Sequence, residues 1–331
     1  MGNGYFDRDS NDRLKAPDLL ANGSYPFTNY MTIHTPVLPD EILELLRSNL
    51  KADRGVFVDC TLGFAGHADL ILREFADLKY VGIDRDETAL SYSREKLKIY
   101  GDRVKFLRGK FSEKIREIDD DICGILADFG VSSLQLDEKS RGFSFNSENL
   151  DMRMDQKSEF SAREIVNNYS EIELARIFKD YGEEPFAKKI ANLIVNNRPF
   201  ESAKNIAELI ARHIKKDKIH PATKVFQAIR IETNDELKEI DKLLDFLEIK
   251  TSKNALILCV SFHSLEDFRV KDRFKSWAKS CVCPSGAWRC ECGNNNSKGK
   301  ILTKKPIAAR ESEVKENPRS RSAKLRAFLF N

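Results

Sequence analysis

Two stretches of the chain carry residue types and spacings that suit a nucleoside-like ligand. The first is Asp59-Cys-Thr-Leu-Gly63-Phe64-Ala65-Gly66-His67, followed 21 residues after Gly63 by Asp84. Glycines let the backbone approach a ligand closely. A carboxylate about 20 residues further on, at the end of the next strand, accepts hydrogen bonds from ribose hydroxyls. The regular G-x-G-x-x-G of pyrophosphate-binding turns is absent, so S-adenosylmethionine, which has no phosphate, suits this turn better than a dinucleotide. The competing reading is a tight strand-to-helix turn with an incidental acid. The second stretch is Asp128-Phe-Gly-Val-Ser132-Ser133-Leu-Gln135-Leu-Asp137. A helix cap or loop carboxylate is the plainer reading of Asp128. At a strand's carboxyl end, however, it would face the same crevice as Gly63 and Asp84.

Such a crevice needs a parallel sheet, and the pattern supplies one. Apolar runs at 56–60, 80–84, 104–107 and 124–128 read as buried strands, with helices at 68–75 and 87–97 between them. Strands separated by helices of this length are βαβ units. A helix at 40–47, with Asp40 as N-cap, precedes them. From 134 to 249 no strand pattern occurs. Ser161-Ala-Arg-Glu164 and Ser170-Glu-Ile-Glu173 are capping boxes, and Leu193, Ile194, Ile206, Leu209, Ile210 and Ile214 have helical spacing. A strand returns at 255–261, a helix follows at 266–278, and a short strand is expected at 300–302. The expected organisation is an α/β core over 31–133 and 250–331, an all-helical insertion for substrate recognition at 134–249, and an unstructured leader at 1–30, with Met31 as a candidate native start.

Composition narrows the functional classes. Of 331 residues 41% are hydrophobic and 32% charged, enough for a sizeable core and too much for a disordered chain. No apolar run is long enough to span a membrane, and no secretory leader pattern is present, so a soluble cytoplasmic protein is expected. Net charge is only +3, but it is unevenly spread. Residues 185–230 carry ten Lys/Arg against three Asp/Glu, and residues 301–331 carry eight against three. Two basic segments on a near-neutral chain fit either solvated helix faces or a localised anionic partner, of which nucleic acid is the commonest.

Nine stretches in order along the chain are similar to one family. They are His34-Thr-Pro-Val-Leu38, the two turns above, Arg141-Gly-Phe143-Ser-Phe145, Leu150-Asp-Met-Arg153-Met-Asp155, Tyr181-Gly-Glu-Glu184, Phe226-Gln-Ala-Ile-Arg230-Ile231, Ser261-Phe-His263-Ser-Leu-Glu-Asp267 and Asn317-Pro-Arg319-Ser-Arg321-Ser-Ala-Lys324-Leu-Arg326. The chain thereby resembles the bacterial 16S rRNA (cytosine-N4)-methyltransferases, the RsmH/MraW family. The resemblance implies a Rossmann-like class I methyltransferase core with a helical insertion, methylation of the N4 amine of a decoding-centre cytidine, small-subunit rRNA as partner, and a homodimer. It implies S-adenosylmethionine contacts at Ala65, Gly66, His67, Asp84, Phe111, Asp128 and Gln135. The chain departs from the family in carrying Ala65 where a second glycine is usual and Phe64 where an arginine is common.

An exocyclic cytosine amine is a poor nucleophile, because its lone pair is conjugated into the ring. A hydrogen-bond acceptor on N4–H would localise that pair, and Asp128 is the candidate, with Ser132 and Ser133 as further polar contacts. Phe143 and Phe145 are candidates to stack on an extruded base, with core packing as the plainer reading. Arg141, Arg153, Arg230, Lys271, Arg319, Arg321, Lys324 and Arg326 are candidate phosphate contacts. His263 reads as a structural histidine that also stands near the substrate. Cys281-Val-Cys283 and Cys290-Glu-Cys292 supply four thiols. Their C-x-C spacing departs from the more usual C-x2-C of structural zinc sites, and a reduced, metal-free loop is expected. The competing functional classes are a non-catalytic RNA-binding assembly factor that kept the fold, which loss of a residue such as Asp84 would favour, and an oxidoreductase, which a regular dinucleotide fingerprint would favour.

Overall fold

The computed structural model describes residues 36–331 except 216–218, 251–252, 285 and 287; the expected leader, with Met31 and His34, lies outside the described residues. Helix α1 (Pro39–Asn49) leads into β1 (Val56–Asp59), α2 (Gly66–Glu74), β2 (Lys79–Asp84), α3 (Glu87–Lys96), β3 (Val104–Arg108), α4 (Phe111–Lys114) and β4 (Ile122–Asp128). Pro39, not Asp40, starts α1, because proline's fixed φ suits the first helical position.

After β4 the chain forms α5 (Ser133–Asp137), α6 (Ala162–Asn168), α7 (Glu171–Asp180), α8 (Ala187–Asn196), α9 (Ala203–His213), α10 (Thr223–Asn234) and α11 (Glu236–Lys250). Both expected capping boxes form, Ser161 with Glu164 and Ser170 with Glu173. The chain then returns through β5 (Leu256–Ser261), α12 (Ser264–Trp277), β6 (Gly299–Ile301), β7 (Ile307–Ala308), α13 (Glu311–Glu316) and β8 (Lys324–Phe330).

The sheet order is β3-β2-β1-β4-β5-β8-β6, with β7 also on β8. Strands β1 to β5 pair in parallel, and β8 runs antiparallel between β5 and β6. Winding reverses between β1 and β4, which opens a crevice at their carboxyl ends, the usual ligand position in such sheets. Apolar clusters cover both sheet faces. One holds α11 and α12 against β1, β4 and β5, and the other holds α1 and α2.

A third cluster runs from Phe143 to Ile229 and is built from α6 to α10. Helix α11, expected to go with that block, instead packs Leu237, Ile240, Leu243 and Leu247 into the sheet's cluster. The larger departure is β8, which the charge pattern marks as a basic tail. Its Leu325, Ala327 and Phe328 are fully buried, and Arg326 is buried as well, its guanidinium bonding Asp267 of α12 at 2.6 and 3.2 Å.

Candidate active site

At the carboxyl ends of β1, β2 and β4 lies a cleft of about 380 Å³, within the range of small-ligand sites. Its floor is held by a relay of short hydrogen bonds. The Tyr80 hydroxyl donates to Asp59 Oδ2 at 2.9 Å, and Asp59 Oδ1 accepts the Thr61 N–H at 3.0 Å. Thr61 Oγ1 in turn accepts the Asp128 N–H at 2.7 Å. Burial pushes the Asp59 carboxyl up to about 6, against the opposing effect of the Thr61 N–H. This relay fixes β1 and β4 where their paths diverge. Sequence reasoning missed it, although Asp59 and Thr61 stand inside the motif it singled out.

Asp84 ends β2. One of its oxygens accepts the Gly63 N–H and the other the Asp86 N–H, both at 2.8 Å. The acid therefore shapes the glycine turn itself and keeps further lone pairs for a ligand. Burial pushes its carboxyl up to about 6, while the two N–H donors work in the other direction. Gly63 sits at φ +53°, a conformation costly for other residues. Ala65, at φ +54°, is fully buried and packs among Leu62, Ala68 and Ile71. It does not line the cleft, so the methyl group that departs from the family's glycine faces the core. Phe64 does line the cleft; its carbonyl accepts from Lys96 Nζ at 3.2 Å.

Gly66, His67, Phe111, Asp128, Ser132, Ser133 and Gln135 all line the same cleft. His67 Nε2 lies 3.6 Å from Asp128 Oδ2. Both His67 Nε2 and Asp128 Oδ1 are buried without a hydrogen-bond partner. Ser132 is partly committed, since its oxygen accepts the Gln135 N–H to cap α5 while Gln135 Oε1 accepts the Ser132 N–H. Gln135 Nε2 donates to Asp86 Oδ2 at 3.0 Å.

Asp86 is a hub that sequence reasoning also missed. It caps α3 through Thr88, and its Oδ2 takes Arg141 Nη1 at 2.8 Å with both side chains only 5% exposed. Arg141 further donates to the carbonyls of Arg153 and Met154. It is an internal tie between the helical block and the cleft, not a phosphate contact. Gly142 makes that tie possible: at φ +78°, an added Cβ would lie 2.5 Å from the Asp151 nitrogen.

The other expected substrate residues divide by location. Arg319 lines the cleft and pairs with Asp137, while Arg321 is exposed. Arg230 and His263 also line it, each beside a carboxylate. Arg230 holds Glu236 at 2.8 and 3.0 Å, and His263 Nε2 lies 3.1 Å from Glu266 Oε1. Burial alone would raise Glu266, but His263, Arg230 and the Phe262 N–H outweigh it and hold the acid below the usual range.

Arg153 is clamped on Asp151 and lines a separate recess. Arg326 is internal, as described, Lys324 lies 3.5 Å from the same Asp267, and Lys271 lies over the Phe268 ring. Phe143 is buried in the helical cluster. Phe145 stacks on His220 at 4.5 Å and meets Phe226 edge-on at 4.8 Å. Neither lines the cleft, whose aromatic residues are Phe64, Phe111, Phe129 and Phe262; the Phe262 ring would lie 3.6 Å from a Cβ on Gly130, in the Asp128 loop.

Residues 31–330 match the MraW methylase family. Among curated proteins, the chain is 52% identical over 300 residues to "Ribosomal RNA small subunit methyltransferase H" of a Nitratiruptor species, covering 90% of this chain and 98% of that one. It is 50% identical over 299 residues to the protein of the same name from Aliarcobacter butzleri, covering 90% and 99%. To the one from Campylobacter jejuni it is 48% identical over 304 residues, covering 90% and 97%.

Proposed function

The chain belongs to the MraW methylase family and has a Rossmann-like class I methyltransferase fold, and we propose that it methylates the exocyclic N4 amine of a decoding-centre cytidine in 16S rRNA, using S-adenosylmethionine. The relatives' shared name, a small-subunit ribosomal RNA methyltransferase, supports the substrate class. The observation that carries the reading is Asp128 Oδ1, a buried carboxylate oxygen with no partner, at the point where β1 and β4 diverge. A buried acceptor left unpaired is costly, and a substrate N–H is the kind of group that would complete it.

The cleft fits the donor. Asp84 retains lone pairs for two ribose hydroxyls, the Gly63 turn admits close approach, and His67 Nε2 offers a further unpaired polar atom. Bound there, S-adenosylmethionine supplies a methyl group made electrophilic by the sulfonium. Asp128 Oδ1 accepts N4–H, draws the amine lone pair out of conjugation and receives the proton that the amine gives up. His67, 3.6 Å behind Oδ2, lies next in line for that proton. Holding the amine against the methyl group in reacting geometry is a separate and larger effect, which can supply about 7–11 kcal/mol of the barrier. Phe262 provides the stacking face for the extruded base, the role that the sequence suggests for Phe143 and Phe145, and Arg319 provides the phosphate contact at the cleft's edge.

The helical block from 134 to about 230 serves as the substrate-recognition module, tied to the cleft through Arg141 and Asp86. The homodimer implied by the resemblance and a cytoplasmic location belong to the same reading. Among the described residues no helix is long and apolar enough to cross a membrane. The test is methyl transfer to 16S rRNA and to small subunits, with nucleoside mass spectrometry. N4-methylcytidine is expected. Donor binding without any transfer would instead favour an assembly factor that kept the fold.

A further inference from the structure

Between α12 and β6 the chain makes an excursion whose described residues beyond Ala278 belong to none of the three apolar clusters. Its base is latched: the Asn296 N–H and side-chain amide both donate to the Ser280 carbonyl, at 3.0 and 3.1 Å, and the Lys298 N–H donates to the Trp277 carbonyl at 2.8 Å. Beyond that base, Val282 is 60% exposed and Trp288 fully exposed. A segment whose large apolar side chains face water has no core to fix it, and small units of this kind usually depend on a metal or a disulfide.

At its centre stand Cys281, Cys283, Cys290 and Cys292, with all four sulfurs within 4.8 Å of one another. The sulfur separations are 3.7 Å for Cys281 and Cys290, 3.4 Å for Cys290 and Cys292, and 3.7 Å for Cys281 and Cys292. A disulfide requires about 2.05 Å. Four thiolates at about 2.3 Å from a tetrahedral zinc are about 3.8 Å apart, close to what is observed.

The backbone adds a second, independent feature. The middle residue of each C-x-C donates its N–H to a sulfur of the other pair: Val282 to Cys292 at 3.4 Å, and Glu291 to Cys283 at 3.3 Å. The two C-x-C turns are thus related by an approximate two-fold, each supplying two sulfurs and one N–H donor. Donors aimed at sulfur stabilise thiolate charge, which a tetrathiolate centre concentrates. The remaining cysteines are of another kind. Cys60, Cys123 and Cys259 are buried in the core, where burial raises their thiols, that of Cys259 up to about 12.

We propose that Cys281, Cys283, Cys290 and Cys292 form a structural zinc site that orders the excursion between α12 and β6. The short C-x-C spacing, which suggests a metal-free loop, is compatible with chelation because each pair contributes from one side of the centre. The full-length protein, purified under reducing conditions without chelator, is expected to hold one zinc per chain. Replacement by cobalt should give the sulfur-to-cobalt charge-transfer band and intense visible bands of a tetrahedral thiolate site. The double variant Cys281→Ser/Cys292→Ser is expected to lose the metal while its circular dichroism and S-adenosylmethionine affinity stay unchanged.

If that variant does not fold, mercurial titration of the wild-type protein decides the matter, with zinc released as four thiols react. Protein that carries no zinc and shows no cobalt–thiolate band would overturn the proposal, as would disulfides between these cysteines under the same reducing conditions. Metal that survives in the double variant would also overturn it and would point to the cluster of Glu236, His263 and Glu266.

Discussion

The two sides of the cleft are assembled in different ways. The side read as the donor side comes from one continuous stretch, residues 59–135, in which successive strand ends deliver the Gly63 turn, Asp84 and Asp128 to adjacent positions. The opposite side gathers Gln227 and Arg230, then Phe262, His263 and Glu266, then Asn317, Arg319 and Ser322, from three segments far apart in the chain. The first side depends on backbone geometry and on hydrogen bonds between neighbouring strand ends. The second depends on the docking of whole helices and on the pairing of Arg319 with the distant Asp137, while its pairs Arg230–Glu236 and His263–Glu266 are local.

The bond that ties the helical block to the donor side gives the largest expected effect. Arg141→Ala leaves the buried Asp86 carboxylate without its counter-charge, with only the Gln135 and Thr88 donors remaining, and breaking such a pair costs about 3–5 kcal/mol. Chemical denaturation is expected to show that loss. A double-mutant cycle with Asp86→Ala is expected to recover part of it, and additive losses would mean that the two regions are held together elsewhere.

On the donor side, Asp84→Ala is expected to weaken S-adenosylmethionine binding by about 2–4 kcal/mol, the loss of one or two charge-assisted hydrogen bonds. The pH dependence has a definite sign. In the free protein the raised carboxyl favours the protonated form, so its stabilising contribution is present below the ordinary value of 3.8 and is lost as pH rises through about 6. Ligand hydroxyls pair with the ionised form, so donor affinity rises with pH through the same region. Asp84→Asn should flatten that rise in calorimetry; an unchanged profile would move the ribose contact elsewhere.

On the other side, the exposed Arg319 and Arg321 are tested through salt. If both meet phosphates, their joint replacement by alanine reduces the slope of log affinity against log salt by about 2. An unaltered slope would mean that the basic segment is solvated or structural. The smallest effect is expected at Ala65. Glycine there relieves about 1–2 kcal/mol of left-handed strain, but it adds about 0.5–1 kcal/mol of backbone entropy and removes a buried methyl group worth about 0.8 kcal/mol. Thermal unfolding should barely move and donor affinity should not change. Tighter donor binding would show that the Ala65 methyl reaches the ligand after all.

This difference in assembly also governs what the sequence reveals. The parallel strands, the two capping boxes and the residues of both turns are legible because each signal lies within one local window. The arginines are not. Arg141, Arg319 and Arg326 look alike in the sequence, yet Arg141 and Arg326 are buried on Asp86 and Asp267, partners 55 and 59 residues away, while Arg319 remains at the cleft. Strand β8 is obscured for the same reason, since Lys324 and Arg326 interrupt its apolar pattern and their compensation lies on α12. Phe143 and Phe145 show the reverse case, in which aromatic residues beside a motif belong to the core of a neighbouring helical block.

The central claim is that the unpaired Asp128 oxygen accepts the target amine, and single-turnover methylation by Asp128→Asn at saturating donor and RNA tests it most directly. The substitution keeps the shape and removes the charged acceptor, and saturation separates any weakened donor binding from the chemical step. The account predicts near-normal RNA binding and a single-turnover rate lower by about 10²-fold or more, the scale of a positioned acid–base group. A near-normal rate under those conditions would contradict it and leave Asp128 with no more than a part in holding the donor.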